Sequence, residues 1–325
     1  MFDYEKDHDI VESWRRFMQG VLGVLLLVGA GVMAHYYAPP PTDDLQQRVK
    51  QLSRQVEELQ KEQQQQKQES SVTVADDARD SVAYICGIYH VAGTARTDSF
   101  RARVAGTGFV VGPGLLATNR HVAEPWYRDE QAEAALRLGA SPVLEKLMAY
   151  FPGSPEPVEL KIATVAKYGD LAVLRMQDTP FTRSLHALPL AHVRPHIGEP
   201  VSVIAYPMGV TVMVAKSPAV IYQRLSTRQE DSRMAGELAA LSLIRPSSTF
   251  GHIGDVTADK LIYDAPTARG GSGGPVLNAH GEVVGINSAY VDGFSGGTLG
   301  ISVSELVPLI ESTRQGGLQA AAGSR

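Results

Sequence analysis

The sequence predicts an all-β globular domain, a sandwich or a pair of barrels, carried behind one membrane-spanning helix and a short helical stalk. Three observations lead there. From about Ser81 onward, short runs rich in Val, Ile, Leu and Tyr are separated by Gly, Pro and Asn, the texture of many short strands joined by turns. Upstream, Phe17 to Tyr37 contains no Asp, Glu, Lys or Arg. Between the two, apolar residues recur at the spacing of a helix seam. A chain of 325 residues, 44% of them hydrophobic, can bury one good core and still leave material for appendages.

The apolar run comes first along the chain. At about 1.5 Å rise per residue it covers roughly 30 Å, the thickness of a bilayer's hydrocarbon core. Trp14, Tyr36 and Tyr37 flank it as interfacial anchors do. A cleaved signal peptide is the competing reading. The run is long for one, however, and the preceding segment carries Asp3, Glu5, Asp7, Asp9 and Glu12. The expectation is therefore an uncleaved transmembrane helix over residues 17–37. Arg15 and Arg16 abut it on one side, while Pro39, Pro40, Pro41, Asp43 and Asp44 follow on the other. That bias places residues 1–16 in the cytoplasm and the rest in the periplasm or an equivalent outer space, although Arg48, Lys50 and Arg54 dilute it.

Residues 38–80 read as a Pro-rich joint, a stalk and a linker. Leu45, Val49, Leu52, Val56 and Leu59 alternate at spacings of four and three, the seam of a short parallel coiled coil that could join copies of the chain through residues 43–62. A solvated, unpaired helical stalk fits equally, because the seam runs on into Gln63 and Gln66 and its flanks offer no matched charges. Gln63 to Gln66, then Ser70 and Ser71, end the stalk in a flexible spacer.

The β-rich runs are Val82 to Val91, Phe100 to Val111, Leu115 to Thr118, Val158 to Val165, Leu171 to Met176, Val201 to Tyr206, Val210 to Leu225, Leu261 to Asp264 and Glu282 to Tyr290. Between them lie two long segments. Glu124 to Pro157 carries Val143, Leu144, Leu147, Met148 and Phe151 at helical spacing, which predicts an added amphipathic helix packed on the domain. Ser226 to Phe250 is charged, then Ala-rich, and reads either as a mobile loop near the cleft or as an exposed excursion. The net charge of −5 is spread along the chain and offers no basic stripe, so nucleic acid is excluded as a partner class. Cys86 is the only cysteine. It excludes an intramolecular disulfide or a cysteine-built zinc site, and reads as a small buried apolar residue. No cofactor and no metal is expected.

Three short motifs carry chemistry. Thr118-Asn119-Arg120-His121-Val122 sets a histidine on a turn just after a strand. Gly169-Asp170-Leu171-Ala172-Val173-Leu174 opens an apolar strand with a lone acid, and a buried carboxylate needs a partner. Gly270-Gly271-Ser272-Gly273-Gly274-Pro275 puts a serine among residues small enough for backbone amides to approach a substrate carbonyl. Singly, each has a bland reading: a satisfied histidine, a turn acid, a flexible hairpin. Together they supply the base, the orienting acid, the nucleophile and the oxyanion donors that acyl transfer requires, in the order His, Asp, Ser. That order fits chymotrypsin-type enzymes, whereas α/β-hydrolases place the serine first and subtilisins the aspartate first. The glycine–serine run also matches the G-x-S-x-G elbow literally. An elbow needs a helix directly after it, but Pro275-Val276-Leu277 and Asn278-Ala279-His280-Gly281 read as strand and turn.

These motifs and their order resemble the trypsin-like peptidases, and within them the HtrA/Deg branch, over roughly Ser81 to Ile310. Gly106-Thr107-Gly108-Phe109-Val110-Val111 before the histidine motif is similar to that branch. So are Gly281-Glu282-Val283-Val284-Gly285-Ile286-Asn287 after the serine, and Leu299-Gly300-Ile301-Ser302-Val303 before a closing helix over Ser304 to Thr313. The resemblance implies a chymotrypsin-like double six-stranded β-barrel over residues 81–315, with a flexible tail at 316–325. It implies that Ser272 attacks the scissile carbonyl, His121 accepts and returns the proton, Asp170 orients the imidazole, and the amides of Gly270 and Ser272 form the oxyanion hole. Ile286, Asn287, Ser288 and Ala289 would line the substrate pocket, with Tyr290 and Leu299 to Ile301.

The sequence departs from the family pattern in four places. Gly271 stands where the family has Asn or Asp, which removes a side chain that supports the hole. Only 53 residues follow Ser272, leaving no room for the C-terminal PDZ module of the HtrA branch. The Glu124 to Pro157 segment is long for its connection. Pro266 stands six residues before the serine, where tryptic enzymes carry an acid, so the implied preference is for a small or apolar side chain before the cut. The activity implied is that of a membrane-anchored serine endopeptidase acting on proteins or peptides. The alternative is a pseudoprotease, the same fold used as a tethered binding module with its hole collapsed around Gly271.

Overall fold

The computed structural model describes residues 4–37, 50–59, 61, 75–93, 100–227, 231–290 and 297–322. It divides into two units, Met1–Gln65 and Gln66–Arg325. The first is helical where described. Helix α1 spans Tyr4–Tyr37, and Glu12–Tyr37 within it is long and apolar enough to cross a bilayer. Residues 50–59 and 61 are also helical. The remainder of the expected coiled-coil segment, 43–49, 60 and 62, lies outside the described residues, as does the Pro-rich joint.

The second unit is built on two closed six-stranded antiparallel barrels. The first contains β1 (Val82–Ala92), β2 (Phe100–Gly112), β3 (Leu115–Thr118), β4 (Ser141–Tyr150), β5 (Val158–Val165) and β6 (Ala172–Met176), in the order β1-β2-β3-β6-β5-β4. The second contains β7 (Pro200–Ala205), β8 (Ser247–Val256), β9 (Lys260–Tyr263), β10 (Pro275–Leu277), β11 (Val283–Tyr290) and β12 (Thr298–Ser302), in the order β10-β11-β12-β9-β8-β7. Closure leaves no unpaired sheet edge in either. Strand β1 shows why its sequence reads as an unbroken apolar run. Ala83 and Ile85 point into the first barrel's core with Val110, Leu116, Leu147 and Leu174. Val82, Tyr84 and Cys86 take the opposite face, in one cluster with Val203, Leu261, Val276 and Ile286 of the second sheet. A strand buried on both faces cannot alternate with polar residues. Tyr84 and Tyr206 stack across this seam at 5.7 Å between ring centroids, and the Tyr206 hydroxyl donates to the Val82 carbonyl at 3.1 Å.

Small helices fill the connections: α2 (Arg120–Ala123), α3 (Glu130–Arg137), α4 (Pro180–Ser184), α5 (Val210–Ala215), α6 (Ala219–Leu225), α7 (Asp231–Ala240) and α8 (Val303–Ala322). Three sequence expectations are corrected here. The amphipathic helix expected around Val143 to Phe151 is strand β4, paired with β1, and the helix of that insertion is α3. A bulge explains the misleading spacing. Ile88 pairs with Lys146 but Tyr89 pairs with Leu144, so Glu145 is an extra residue that stretches a two-residue period to three between Leu144 and Leu147. Val210 to Leu225, expected as strand from its β-branched content, is the helix pair α5 and α6. Val210, Met213 and Val214 bury one face at helical spacing, and that packing outweighs the strand preference of valine. The segment Ser226 to Phe250 contains α7, which buries Met234, Ala235, Leu238 and Ala239, and then the start of β8, so it is largely built into the domain. The closing helix α8 begins one residue before its expected start and runs to Ala322.

Candidate active site

The histidine motif is placed by β3, which ends at Thr118 and delivers Asn119 and His121 to the short helix α2. Arg120 fixes that turn from behind. Its guanidinium binds Glu124 at 2.6 Å, donates to the Ala166 carbonyl at 3.1 Å and lies 4.3 Å over the Tyr127 ring. Asp170 precedes β6, the neighbour of β3, so sheet pairing alone brings its carboxylate beside the histidine. His121 Nδ1 and Asp170 Oδ2 are 2.8 Å apart, and the His121 backbone N–H donates to Oδ1 at 2.9 Å. Ser288 Oγ donates to Oδ2 at 3.2 Å, while Asn119 Nδ2 holds the Asp170 carbonyl at 2.8 Å.

Burial of this carboxyl opposes ionisation, but the hydrogen bonds and charge of His121, helped by Ser288, outweigh it and hold Asp170 below the usual carboxylate range. An ionised carboxylate only accepts. Nδ1 therefore carries a proton, which leaves Nε2 as the ring nitrogen available to the serine, and the His121 side chain is one-third exposed.

Ser272 comes from the second barrel, in the loop between β9 and β10. Its hydroxyl donates to the Ser288 carbonyl at 3.0 Å. Among the described residues it has no hydrogen bond to His121, so the pair His121–Asp170 is assembled while the serine hydroxyl is held by Ser288 of β11. The loop itself is held tightly. Gly271 N–H donates to the Ala268 carbonyl at 2.9 Å, closing a turn whose third residue, Gly270, has φ +88°. This is the signature of a type II turn, which glycine adopts without strain. Gly273, also at φ +88°, lies so close to the first barrel that a Cβ there would sit 2.0 Å from the Thr107 carbonyl oxygen. The amides proposed as oxyanion donors, those of Gly270 and Ser272, have no hydrogen-bond partner among the described residues, whereas Gly271, Gly273 and Gly274 all donate within the fold.

The peptide preceding Gly270 is oriented from behind, because Met208 N–H donates to the Arg269 carbonyl at 2.6 Å. In a trans peptide the N–H points opposite to its carbonyl, so this bond turns the Gly270 N–H away from Met208. Thr107 adds a clamp from the other barrel. Its N–H donates to the Ser272 carbonyl at 2.8 Å, its hydroxyl donates to the Gly270 carbonyl at 2.7 Å, and that hydroxyl accepts from Tyr206 N–H at 3.0 Å. Sequence reasoning did not single out Thr107, Met208 or the second role of Ser288. The glycines flanking Thr107 were the available signal, since they permit close backbone approach.

Of the four expected pocket residues, Ile286 and Asn287 are buried, at 0% and 1% exposure, and Asn287 directs its side chain at the serine loop. Ser288 borders a cavity of about 350 Å³ that also meets Tyr168, Asp170, Leu299 and Ile301. Ala289 continues β11.

The family model for a trypsin-like peptidase domain matches residues 106–286. Comparison with curated proteins finds no match. Among solved structures, a serine endoprotease from Yersinia pestis is 19% identical, with a TM-score of 0.48, over 75% of this chain and 66% of that one, just under two thirds of its length. The active form of the M. tuberculosis protease Rv3671c is 16% identical, with a TM-score of 0.46, over 73% and 82% of the two chains. Deg5 is 19% identical, with a TM-score of 0.47, over 74% and 92%. With a match that takes in the histidine, acid and serine motifs and more than half of the sequence, the chain belongs to the trypsin-like peptidase family.

Proposed function

We propose that the protein is a membrane-anchored serine endopeptidase in which Ser272, His121 and Asp170 hydrolyse peptide bonds through an acyl-enzyme. The observation that carries this reading is the Asp170–His121 pair at 2.8 Å beside a serine loop in which the amides of Gly270 and Ser272 have no partner among the described residues. Rotation of the Ser272 side chain from the Ser288 carbonyl toward Nε2 starts the reaction, a shift of the kind by which free enzymes tighten on binding substrate. His121 takes the hydroxyl proton as Oγ bonds to the scissile carbon, and Gly270 and Ser272 N–H groups stabilise the oxyanion. His121 then returns the proton to the leaving amine, and water repeats the sequence to release the acid. Asp170, already ionised, stabilises the imidazolium.

A small or apolar side chain before the cut is supported by Pro266, which stands where an acid would select a base. A survey of cleavage sites dominated by Lys or Arg would overturn that preference. Helix α1 is the proposed anchor, with residues 1–16 cytoplasmic and the barrels outside. Protease digestion of sealed vesicles checks it, and barrels protected inside the cytoplasmic compartment refute it. Residues 43–62, of which 50–59 and 61 are helical, are the proposed site for self-association, read out by sedimentation of the detergent-solubilised chain.

Covalent labelling by a fluorophosphonate tests the chemistry. Labelling of the wild type that is lost in both Ser272→Ala and His121→Ala supports the peptidase. One observation favours the pseudoprotease instead: the Ser272 hydroxyl is engaged by Ser288 and not by His121. An absence of labelling under every condition, with a folded chain, would establish that second reading.

A further inference from the structure

The two candidate oxyanion donors belong to two peptides, and each peptide is gripped by its carbonyl. For the Gly270 donor the grip is the backbone of Met208. For the Ser272 donor it is a side chain. Asn287 Nδ2 donates to the Gly271 carbonyl at 2.7 Å. Because the 271–272 peptide is planar and trans, its N–H is aimed opposite to that carbonyl, so the carboxamide that holds one end sets the direction of the other.

We infer that Asn287 is a positioning residue for the oxyanion hole, its carboxamide orienting the Ser272 N–H through the Gly271 carbonyl. The inference rests on the peptidase reading of the site. The carboxamide is itself locked. Tyr263 hydroxyl donates to Oδ1 at 2.7 Å, and Nδ2 reaches Thr267 Oγ1 at 2.9 Å. Burial pushes the Tyr263 phenol well above its usual value, so the hydroxyl stays protonated and keeps donating. The Gly271 carbonyl can only accept, so the amide nitrogen must face it, which leaves Oδ1 for the Tyr263 hydroxyl. The backbone of Asn287 adds two bonds to the same loop, accepting from Gly273 N–H and donating to the Gly274 carbonyl, both at 2.8 Å.

The space this amide occupies is the space beside Gly271. A Cβ built at Gly271 would lie 2.5 Å from Thr267 Oγ1 and 3.2 Å from Asn287 Nδ2. A side chain at position 271 would therefore collide first with Thr267 and press on the Asn287 amide, so the bare glycine leaves the Asn287 clamp its room. The Gly274 N–H reaches the same carbonyl at 3.1 Å, so loss of the carboxamide weakens the alignment without erasing it.

Asn287→Asp is the direct test, since it keeps size and shape but sets a carboxylate oxygen against the Gly271 carbonyl. Complete loss of an oxyanion donor costs about 10²–10³ in kcat, and misalignment is expected to cost roughly ten- to a hundredfold of it. Substrate KM should stay within about threefold, because the ground-state carbonyl makes little use of the hole. Affinity for a peptide aldehyde, whose adduct places an oxygen in the hole, should fall in step with kcat/KM. A merely structural role would lower the titratable active fraction and leave the aldehyde-to-substrate affinity ratio of the remainder unchanged. Tyr263→Phe, which only unlocks the carboxamide, should show the same pattern at two- to tenfold, and it decides the matter if the aspartate variant does not fold. Wild-type kcat and aldehyde affinity in the folded variants would overturn the inference and leave the peptidase standing, whereas an inert, unlabelled wild type removes both.

Discussion

Replacing Asp170 by Asn leaves the shape of the site almost untouched and reverses one hydrogen-bond polarity. The native carboxylate accepts from three donors: His121 Nδ1 at 2.8 Å, His121 N–H at 2.9 Å and Ser288 Oγ at 3.2 Å. An amide has one oxygen and one NH₂ for those places. If the NH₂ takes the Oδ2 position, it faces Nδ1, which must then become the acceptor, and the proton moves to Nε2. The imidazole can then no longer take a proton from Ser272. If the NH₂ takes the Oδ1 position, it confronts the His121 backbone N–H, donor against donor, at 2.9 Å. The first orientation keeps the fold and disables the base, so the variant should be well folded and slow. The expected loss in kcat is about 10³- to 10⁴-fold, or ~4 to 5.5 kcal/mol of transition-state stabilisation. The assay is steady-state hydrolysis of a peptide cleaved by the wild type, normalised to folded protein by circular dichroism. A folded Asp170→Asn protein within tenfold of wild type would refute the role assigned to the carboxylate.

Three further expectations follow from other features. Gly273→Ala must place a Cβ 2.0 Å from the Thr107 carbonyl while holding φ at +88°; the cost should be about 3 kcal/mol or more, a fall in Tm of ~6 to 12 °C by thermal denaturation, and a shift under 2 °C would contradict the close approach. Asp170 has its folded pKa lowered, so its contribution to stability is fully present above the unfolded carboxylate pKa and disappears as pH falls through the folded one. The stability gap between wild type and Asp170→Asn, measured by urea titration, should thus narrow on acidification, and a gap that widens would reverse the sign. Burial pushes the Cys86 thiol up to about 11, so a maleimide should label it only after denaturation; rapid labelling of the native protein would place it at the surface.

Much of this architecture was legible because it depends on local pattern. The strands from Val82 to Thr118 carry long apolar runs between turns, and the three chemical motifs each sit at a strand end. The misread segments are those where long-range contacts decide. Glu145 in its bulge makes β4 look helical, since the extra residue is visible only against Ile88 and Tyr89 across the sheet. The valines of α5 look like strand until the burial of Val210, Met213 and Val214 together is known. Strand β8 was missed because only Ile253 of its residues is buried, so no apolar alternation marks it. Within the site, His121, Asp170 and Ser272 were readable from their neighbours in sequence. Thr107 and Met208 were not, and Asn287 was expected only as a pocket residue, because each acts through a hydrogen bond to residues far along the chain.

On the peptidase reading, the division of the site between two closed sheets also governs when hydrolytic power could arise during synthesis. The residues that would manage protons, His121 just after β3 and Asp170 just before β6, leave the ribosome before Ser272 has been made. Until β10 and β11 close the second cylinder and Thr107 engages Ser272 and Gly270, neither portion holds a complete set of reacting groups. Peptide hydrolysis by a chain of this design would thus be a property of the finished tertiary structure.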